Sequence, residues 1–562
     1  MVMSKSLRFG ALLASTNTVS GLAPLLSDGS EVDWWFAYKF NTASFPECST
    51  TRECIFGGDV QNYPYGFGMQ YLLSSGVGSQ VKSATLHTDC IGTGSDPVAN
   101  TFNQIYSGEA PNYVIWNDQF YEDPHIDLDP PCINYCGKPW GHSKGFMAWD
   151  ANGEGFVVQS TTPDWPGNGD KTKTRAEGNT LGCVLDDDVE VAQHLFAVKL
   201  TASDTAAVLR GLAAASVVTD PTNEQVVKMT DSPADIASLV NSLGQLDSTA
   251  EVFDVTLSTK TADGTNIRLL AKNHDMWVSP WHMVSAVVGE PLRVASWWTY
   301  PKIDSTEDGM LPGCWSDSIP PPLEVQAATS GQWQGTTFSL EGGSGINYNH
   351  AKVAHSLTSS NLVVFGDMNM QGVLNPTKNG FCNSSQNGRG GLFFVLSDAS
   401  LHRDLTDLLT GDTAPYWHAT TTHPPTPPSP AGDCGGAGVS STTCRNDMPS
   451  DCVYIYAADE EHCSVAQYGC YERDTLPDWC PEKTTPTSPP SPPPSPPSPS
   501  GSCGGAGVSA STCRGSSTPS ECVYIYSADE ESCNVAQWGC YEQDTLPDGC
   551  PEKTSSTLSV VV

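Results

Sequence analysis

Two proline-rich runs divide this chain before any other feature is weighed: PPTPPSP at 424–430 and PTSPPSPPPSPPSPS at 486–500. Proline fixes φ and removes a backbone donor, so such runs make stiff, extended spacers and no core. The 562 residues are therefore predicted to fold as one large unit followed by two small ones. The boundaries read as a leader segment at 1–28, a large domain at 29–415, a linker at 416–432, a first module at 433–484, a second linker at 485–501 and a second module at 502–554. The leader signal is weak: Lys5 and Arg8 precede a short apolar FGALLAS run that reaches small residues near Ala23.

The two small units repeat each other. CVYIYAADEEHCSVAQYGCYERDTLPDWCPEK returns as CVYIYSADEESCNVAQWGCYEQDTLPDGCPEK. Cys434, Cys444, Cys452, Cys463, Cys470 and Cys480 of the first copy match Cys503, Cys513, Cys522, Cys533, Cys540 and Cys550 of the second. A unit this short buries too little apolar surface to fold unaided, so each is expected to hold three disulfides, in a pairing the spacing does not choose. Such bridges imply an oxidising, secretory route. Tyr454, Tyr456, Tyr468 and Tyr471, with Trp538 standing for Tyr468 in the second copy, admit two readings. The rings either stack on sugars, making a glycan or cell-wall anchor, or form the small core of a stapled spacer.

The large region carries two His-x-Lys tripeptides far apart, His142-Ser143-Lys144 and His350-Ala351-Lys352. In an extended strand residues i and i+2 share a face, so each tripeptide presents an imidazole and an ammonium group together. Phosphodiester cleavage without a metal needs a nucleophile, an acid for the leaving oxygen and cations for the non-bridging oxygens, and this set supplies all of them. With 12 His and 27 Lys+Arg in the chain, chance alone yields roughly 0.6 tripeptides of the His-x-[Lys/Arg] kind. The flanks add weight. The first tripeptide enters an apolar run, FMAW, a turn at 151–155 and a second β-rich run; the second leads to LVVF and Gly366-Asp367-Met368-Asn369.

Further stretches fall in a recognisable order: Val32-Asp33-Trp34 with Tyr38-Lys39, GFGMQYLL, YVIWNDQ, GHSKG, KNHDMWVSPW, LPGCWSD, GDMN and Arg389-Gly390-Gly391. Together they resemble the deoxyribonuclease II family, acid endonucleases with a phospholipase D-like fold, over roughly residues 29–410. The resemblance implies an α/β (mixed α+β) fold of two pseudo-symmetric phospholipase D-like halves, ahead of the two disulfide-rich modules, with DNA bound where the halves meet. It implies that one histidine attacks phosphorus. His142 is taken as that nucleophile and His350 as the acid and later the base, an assignment the sequence leaves reversible. Lys144 and Lys352 would hold the non-bridging oxygens, and Asn369 would donate an amide hydrogen bond to the same phosphate. In the first half, Thr161 and Asp164 stand where the family carries serine and asparagine; with Asp367 and Arg389 they are expected beside the substrate. A carboxylate at Asp164 opposes a phosphate unless protonated or turned away. Asp150 is a weaker candidate for backing His142. Arg389 is expected either to support the Asp367–Asn369 turn or to reach the DNA backbone. His274 and His282, which flank Trp277 and Trp281, read as packing, as do Trp34, Trp35, Trp297 and Trp298. A helix at Ala234–Leu243 is expected to pack outside the halves.

Charge constrains the conditions of work. With 63 acidic and 27 basic side chains the chain carries −36, which repels DNA at neutral pH and suits an enzyme working in acid, where carboxylates lose charge and imidazoles gain it. Poor activity and strong salt inhibition are expected near neutrality. No zinc- or calcium-type spacing occurs, and Asp186-Asp187-Asp188 reads as a solvated turn, so no cofactor and no metal are expected. No stretch approaches a membrane span. The destination is the secretory pathway, ending outside the cell or in a lysosome or vacuole. A lipid phosphodiesterase and a non-catalytic, wall-binding protein are the rival readings, and oligomeric state is not legible.

Overall fold

The computed structural model describes residues 21–40, 71–77, 80–87, 91–92, 95–120, 124–132, 135–163, 165–166, 191–298, 302–342, 348–376 and 381–417, together with short strands at 436–437, 452–455, 469–472, 505–506, 522–525 and 539–542. The chain divides into two units, 1–427 and 428–562.

In the first unit the elements run β1 (Trp34–Lys39), β2 (Tyr71–Val77), β3 (Gln80–His87), α1 (Pro97–Tyr106), β4 (Asn112–Asn117), β5 (Lys144–Trp149), β6 (Gly155–Ser160), β7 (Gln193–Leu200), α2 (Ala202–Ala214), β8 (Val227–Met229) and α3 (Ala234–Val240). They continue with β9 (Val252–Lys260), β10 (Asn266–Lys272), α4 (Pro280–Val288), β11 (Leu292–Ala295), β12 (Val325–Ala327), β13 (Ser330–Trp333), β14 (Thr336–Ser339), β15 (Val353–Ser356), β16 (Leu362–Gly366), β17 (Gly391–Ser397) and α5 (Ala399–Leu408). The fold is mixed α+β. One sheet has the order β3-β2-β1-β7-β6-β5-β4-β8 and the other β12-β11-β15-β16-β17-β10-β9, with β13 and β14 forming a separate hairpin.

The two sheets repeat one plan. Strand, helix, four strands and helix follow as β1, α1, β4, β5, β6, β7, α2 and again as β10, α4, β11, β15, β16, β17, α5. Within the sheets the matching orders are β1-β7-β6-β5-β4 and β10-β17-β16-β15-β11. The registers agree as well. Lys144 pairs with Ser160, and Lys352 lies opposite Gly366, whose N–H donates to its carbonyl at 2.9 Å. Lys39 pairs with Gln193 and Lys272 with Gly391. Both of these lysines are fully buried and cap matching carbonyls, Lys39 on Val191 at 2.5 Å and Lys272 on Arg389 at 2.9 Å.

Strands β1, β4, β5 and β6 are buried at every position, which explains why they read as continuous apolar runs with little alternation. The sheets meet through aromatic rings: Phe365 stacks on Phe36 and on Phe196, each at 4.5 Å between centroids, and Phe196 reaches Phe394 at 5.5 Å. Stacked rings at this spacing add about 1 kcal/mol each beyond the area they bury. Helix α2 starts on a Thr201/Asp204 capping box, a reciprocal pair that satisfies two otherwise orphaned N–H groups. Gly211 of α2 lets the helix approach the second sheet, since a Cβ there would lie 3.1 Å from Leu269 and 3.4 Å from Leu392.

The helix expected at Ala234–Leu243 ends at Val240, ahead of Gly244, whose φ of +70° belongs to a turn; the helix buries Ile236 and Val240, and Leu243 is buried in the segment that follows. Trp34, Trp35 and Trp298 are core, whereas Trp297 is half-exposed and stands beside the site. Among the described residues of this unit, disulfides join Cys132 to Cys136 and Cys314 to Cys382. In the second unit each repeat contributes a three-stranded sheet, Gly436–Ala437, Gly469–Glu472 and Cys452–Ile455 in the first and Gly505–Ala506, Gly539–Glu542 and Cys522–Ile525 in the second. Cys452 and Cys470 are each engaged in a disulfide.

Candidate active site

The His-x-Lys tripeptides occupy matching places, each immediately before the strand its lysine opens or precedes: His142 before β5 and His350 before β15. They are tied across the halves by an exchange of backbone hydrogen bonds. The His142 N–H donates to the Gly390 carbonyl at 2.8 Å, just before β17, and the His350 N–H donates to the Ala192 carbonyl at 2.8 Å, just before β7. Register makes Ala192 and Gly390 counterparts, so the two bonds are one contact made twice. A third tie runs from the Lys352 N–H to His194 Nδ1 at 3.1 Å.

His142, Lys144 and Lys352 are all nearly buried, at 6 %, 4 % and 3 % exposure, which means that their charges interact through protein more than through water. Burial, followed by the nearby Lys144, Arg389, Lys352 and His350, holds the His142 imidazole well below the usual histidine range. Burial lowers Lys352 to about 7, with Lys144 pushing the same way and Asp367 and Asp118 opposing. His350 is half-buried, with Trp297 edge-on to its ring at 5.6 Å, and its carbonyl accepts from Lys352 Nζ at 2.6 Å.

Strands β6 and β16 are each followed by matched residues, Thr161 and Asp367. Thr161 Oγ1 accepts the His194 N–H at 3.0 Å, and Asp367 Oδ2 accepts the Leu392 N–H at 3.0 Å. Burial raises Asp367 to about 7, against the pull of Ser143, the Leu392 N–H, Lys144 and Gln159. Thr161 also donates to Gln193 at 2.6 Å, so its hydroxyl is committed to β7. Asn369 spends one amide N–H on Gln371 at 3.0 Å. Among the described residues, the buried polar atoms without a hydrogen-bond partner here include His142 Nδ1, His194 Nε2, Asn369 Oδ1, Asp367 Oδ1 and Gln159 Oε1. Such atoms are costly to leave unmade and mark where a ligand compensates.

Arg389 departs from both sequence expectations. Its guanidinium turns to the first half, donating to Trp140 O at 3.0 Å, Tyr135 Oη at 2.9 Å, Cys136 O at 2.5 Å, Gly141 O at 3.0 Å and Asp118 Oδ2 at 2.7 Å. It is 2 % exposed and does not bond the Asp367–Asn369 turn. Asp150 does not back His142 either: it caps the turn after β5 through the Asn152 and Glu154 N–H groups. The carboxylate that does approach the histidine is Asp118, fully buried after β4, at 2.5 Å from Lys144 Nζ and 3.9 Å from His142 Nε2. Its sequence signal was the acidic residue closing the apolar YVIWN run, the same grammar as LVVFGD before Asn369. His194 is buried against the second tripeptide; accepting the Lys352 N–H at Nδ1 leaves its proton on Nε2, in keeping with a pKa driven well down by burial and Lys352. His282 is held by Ser279 and Thr306 at 2.8 and 2.9 Å, a packing role. Asp164 and Asp186–Asp188 lie outside the described residues. Among the described residues no group of three or more His, Cys, Asp or Glu side chains is placed to hold a metal ion.

The family model for deoxyribonuclease II matches residues 24–409. The chain belongs to the deoxyribonuclease II family. It is thus a hydrolase, an endonuclease acting on DNA, and its two repeated sheets are the halves of that family's phospholipase D-like fold. No curated protein matches the chain. No helix among the described residues is long and apolar enough to cross a membrane.

Proposed function

We propose that this deoxyribonuclease cleaves DNA in acid, without a metal, through a phosphohistidine on His142. The reading is carried above all by the reciprocal bonds His142 N–H to Gly390 O and His350 N–H to Ala192 O, which seat both tripeptides against one another. His142 is favoured as nucleophile because burial and four neighbouring cations keep its imidazole neutral in acid, leaving a lone pair to attack. An N–P bond forms, the P–O5′ bond breaks, and His350 protonates the departing oxygen. His350 then takes a proton from water, whose oxygen displaces the imidazole and leaves a 3′-phosphate. Lys144 and Lys352 neutralise the non-bridging oxygens, and the second amide N–H of Asn369 bonds the same phosphate. Asp367 and Thr161 shape the floor beneath it, and Arg389 positions the first half.

The acid requirement has a local cause besides the overall charge. As pH falls through about 7, Lys352 gains a positive charge and Asp367 loses a negative one, so the site becomes attractive to phosphate only on the acid side. Secretion is supported by the Cys132–Cys136 and Cys314–Cys382 bridges, with an extracellular, lysosomal or vacuolar destination. Nicking of supercoiled plasmid between pH 4 and 8 with EDTA present tests the whole reading. Cleavage that persists with chelator at pH 5, gives 3′-phosphate ends, and drops on the order of 10³-fold or more in His142→Ala and in His350→Ala is expected. Retained cutting in both variants overturns it.

A further inference from the structure

Resting on the histidine chemistry proposed above, we propose that Trp297 is the platform on which the base of the leaving nucleoside stacks. His350 then meets an O5′ whose nucleotide is held by its base as well as by its phosphate. The halves differ at this position. Asn117 pairs with Lys144 across β4 and β5, and Ala295 pairs with Val353 across β11 and β15. Since Lys144 and Lys352 correspond, the same register carried one residue further makes Asp118 and Trp297 counterparts. Beside its histidine the first half sets a fully buried carboxylate, and the second sets a partly exposed indole. An indole cannot neutralise Lys352 as Asp118 does Lys144; what it offers is a ring.

The main chain under that ring is fixed on two sides. The Met370 N–H donates to the Trp297 carbonyl at 3.0 Å and to Ser296 Oγ at 3.1 Å, which ties Trp297 to the residue after Asn369. A Cβ on Gly342 would lie 1.9 Å from the Trp298 nitrogen and 2.8 Å from the Trp297 carbonyl carbon, so this glycine lies flat against the same main chain. The indole stands nearly perpendicular to the His350 imidazole, at 77° and 5.6 Å between centroids. Displacement at phosphorus is in line, so the nucleoside bearing O5′ departs on the side away from His142 and toward His350. Its base comes to Trp297 and not to Asp118. With −36 on the chain, charge alone attracts DNA poorly near neutrality, whereas stacking is indifferent to charge and tolerant of sequence, because every base has a π-face. A base stacked on indole has left its neighbours in the duplex, so unpaired bases are favoured on the leaving side.

The test uses the full chain at acid pH on single-stranded oligonucleotides with one natural phosphodiester among methylphosphonate linkages. The nucleoside on the O5′ side, or the one on the 3′-phosphate side, carries either a base or an abasic sugar, and kcat/KM is read for each. Removing the O5′-side base should lower kcat/KM of wild type about tenfold. In Trp297→Ala that ratio should shrink to within about twofold. Trp297→Phe, which keeps a ring, should retain most of it, and Trp297→Leu, which keeps bulk without a ring, should lose it. Should Trp297→Ala not fold, the Phe and Leu variants decide. A structural role would slow cleavage of both substrates alike, and an undiminished ratio in the variants overturns the proposal. So does a wild type indifferent to the O5′-side base, or a Trp297-dependent ratio found on the 3′-phosphate side. Wild-type protein that cuts no DNA sinks the nuclease chemistry; wild type that cuts through His142 and His350, beside variants of undiminished ratio, sinks the role of Trp297 alone.

Discussion

Asp367 holds its proton up to about pH 7 because a buried carboxylate loses more by desolvation than Ser143, Lys144 and the Leu392 N–H restore. Its pKa is raised on folding, so its contribution to stability is complete below about 4 and is lost as pH climbs through about 7. Asp367→Asn has no proton to lose. Urea unfolding of the pair should agree at pH 4, and the variant should become the more stable partner by pH 8. Lys352 has the opposite sign, its depressed pKa costing stability as pH falls through about 7. In kinetics the same substitution should flatten the rise in KM between pH 6 and 8, on the order of tenfold at the upper end. Thr161 shows what the first half gives up. Its hydroxyl accepts a backbone N–H at the matching position without bringing a second titratable acid into the site, so Thr161→Val should cost about 1–2 kcal/mol of stability and leave the pH profile where it was.

At the scale of elements, the strap between halves depends on close approach of main chains. A Cβ on Gly390 would sit 2.1 Å from the Ala215 carbonyl oxygen, and one on Gly141 would sit 2.4 Å from the same atom. The end of α2 is thus wedged between the residue before His142 and the residue that accepts its N–H. Gly390→Ala should move that acceptor, lowering Tm by several degrees and kcat by about 10²-fold, as thermal melting and plasmid nicking would show. Arg389→Met should destabilise the fold by about 3–5 kcal/mol, since it strips a buried partner from Asp118. These contacts explain which parts of the site could be read from the chain. His142, Lys144, His350, Lys352 and Asn369 announce themselves in short strings at strand ends, where local spacing alone places a side chain. Arg389 and Asp118 meet across 271 positions, and no local pattern encodes a partner that distant. The sheet orders were legible only as a pair of related halves, because strands buried on both faces lose the alternation that assigns a register.

For the molecule as a whole, stability is shared between two sheets that interlock through Phe36, Phe196 and Phe365 and a disulfide, Cys314–Cys382, that closes 68 residues of the second half. A loop of that length corresponds to about 4 kcal/mol of lost chain entropy in the unfolded state, so Cys314→Ser should bring a loss of that order in denaturant titration. The −36 charge opposes DNA at neutral pH. The unit ending at 427 contains both tripeptides, and a chain stopped there should nick plasmid at pH 5 at a rate within about threefold of the full length, measured per folded molecule.

The exchanged main-chain bonds carry one more consequence. The main-chain N–H of each histidine finds its acceptor on the opposite copy of the repeat, so a lone copy would leave both that N–H and its own waiting carbonyl unanswered. Carrying both copies in one polypeptide keeps each of these N–H groups beside the carbonyl that accepts it.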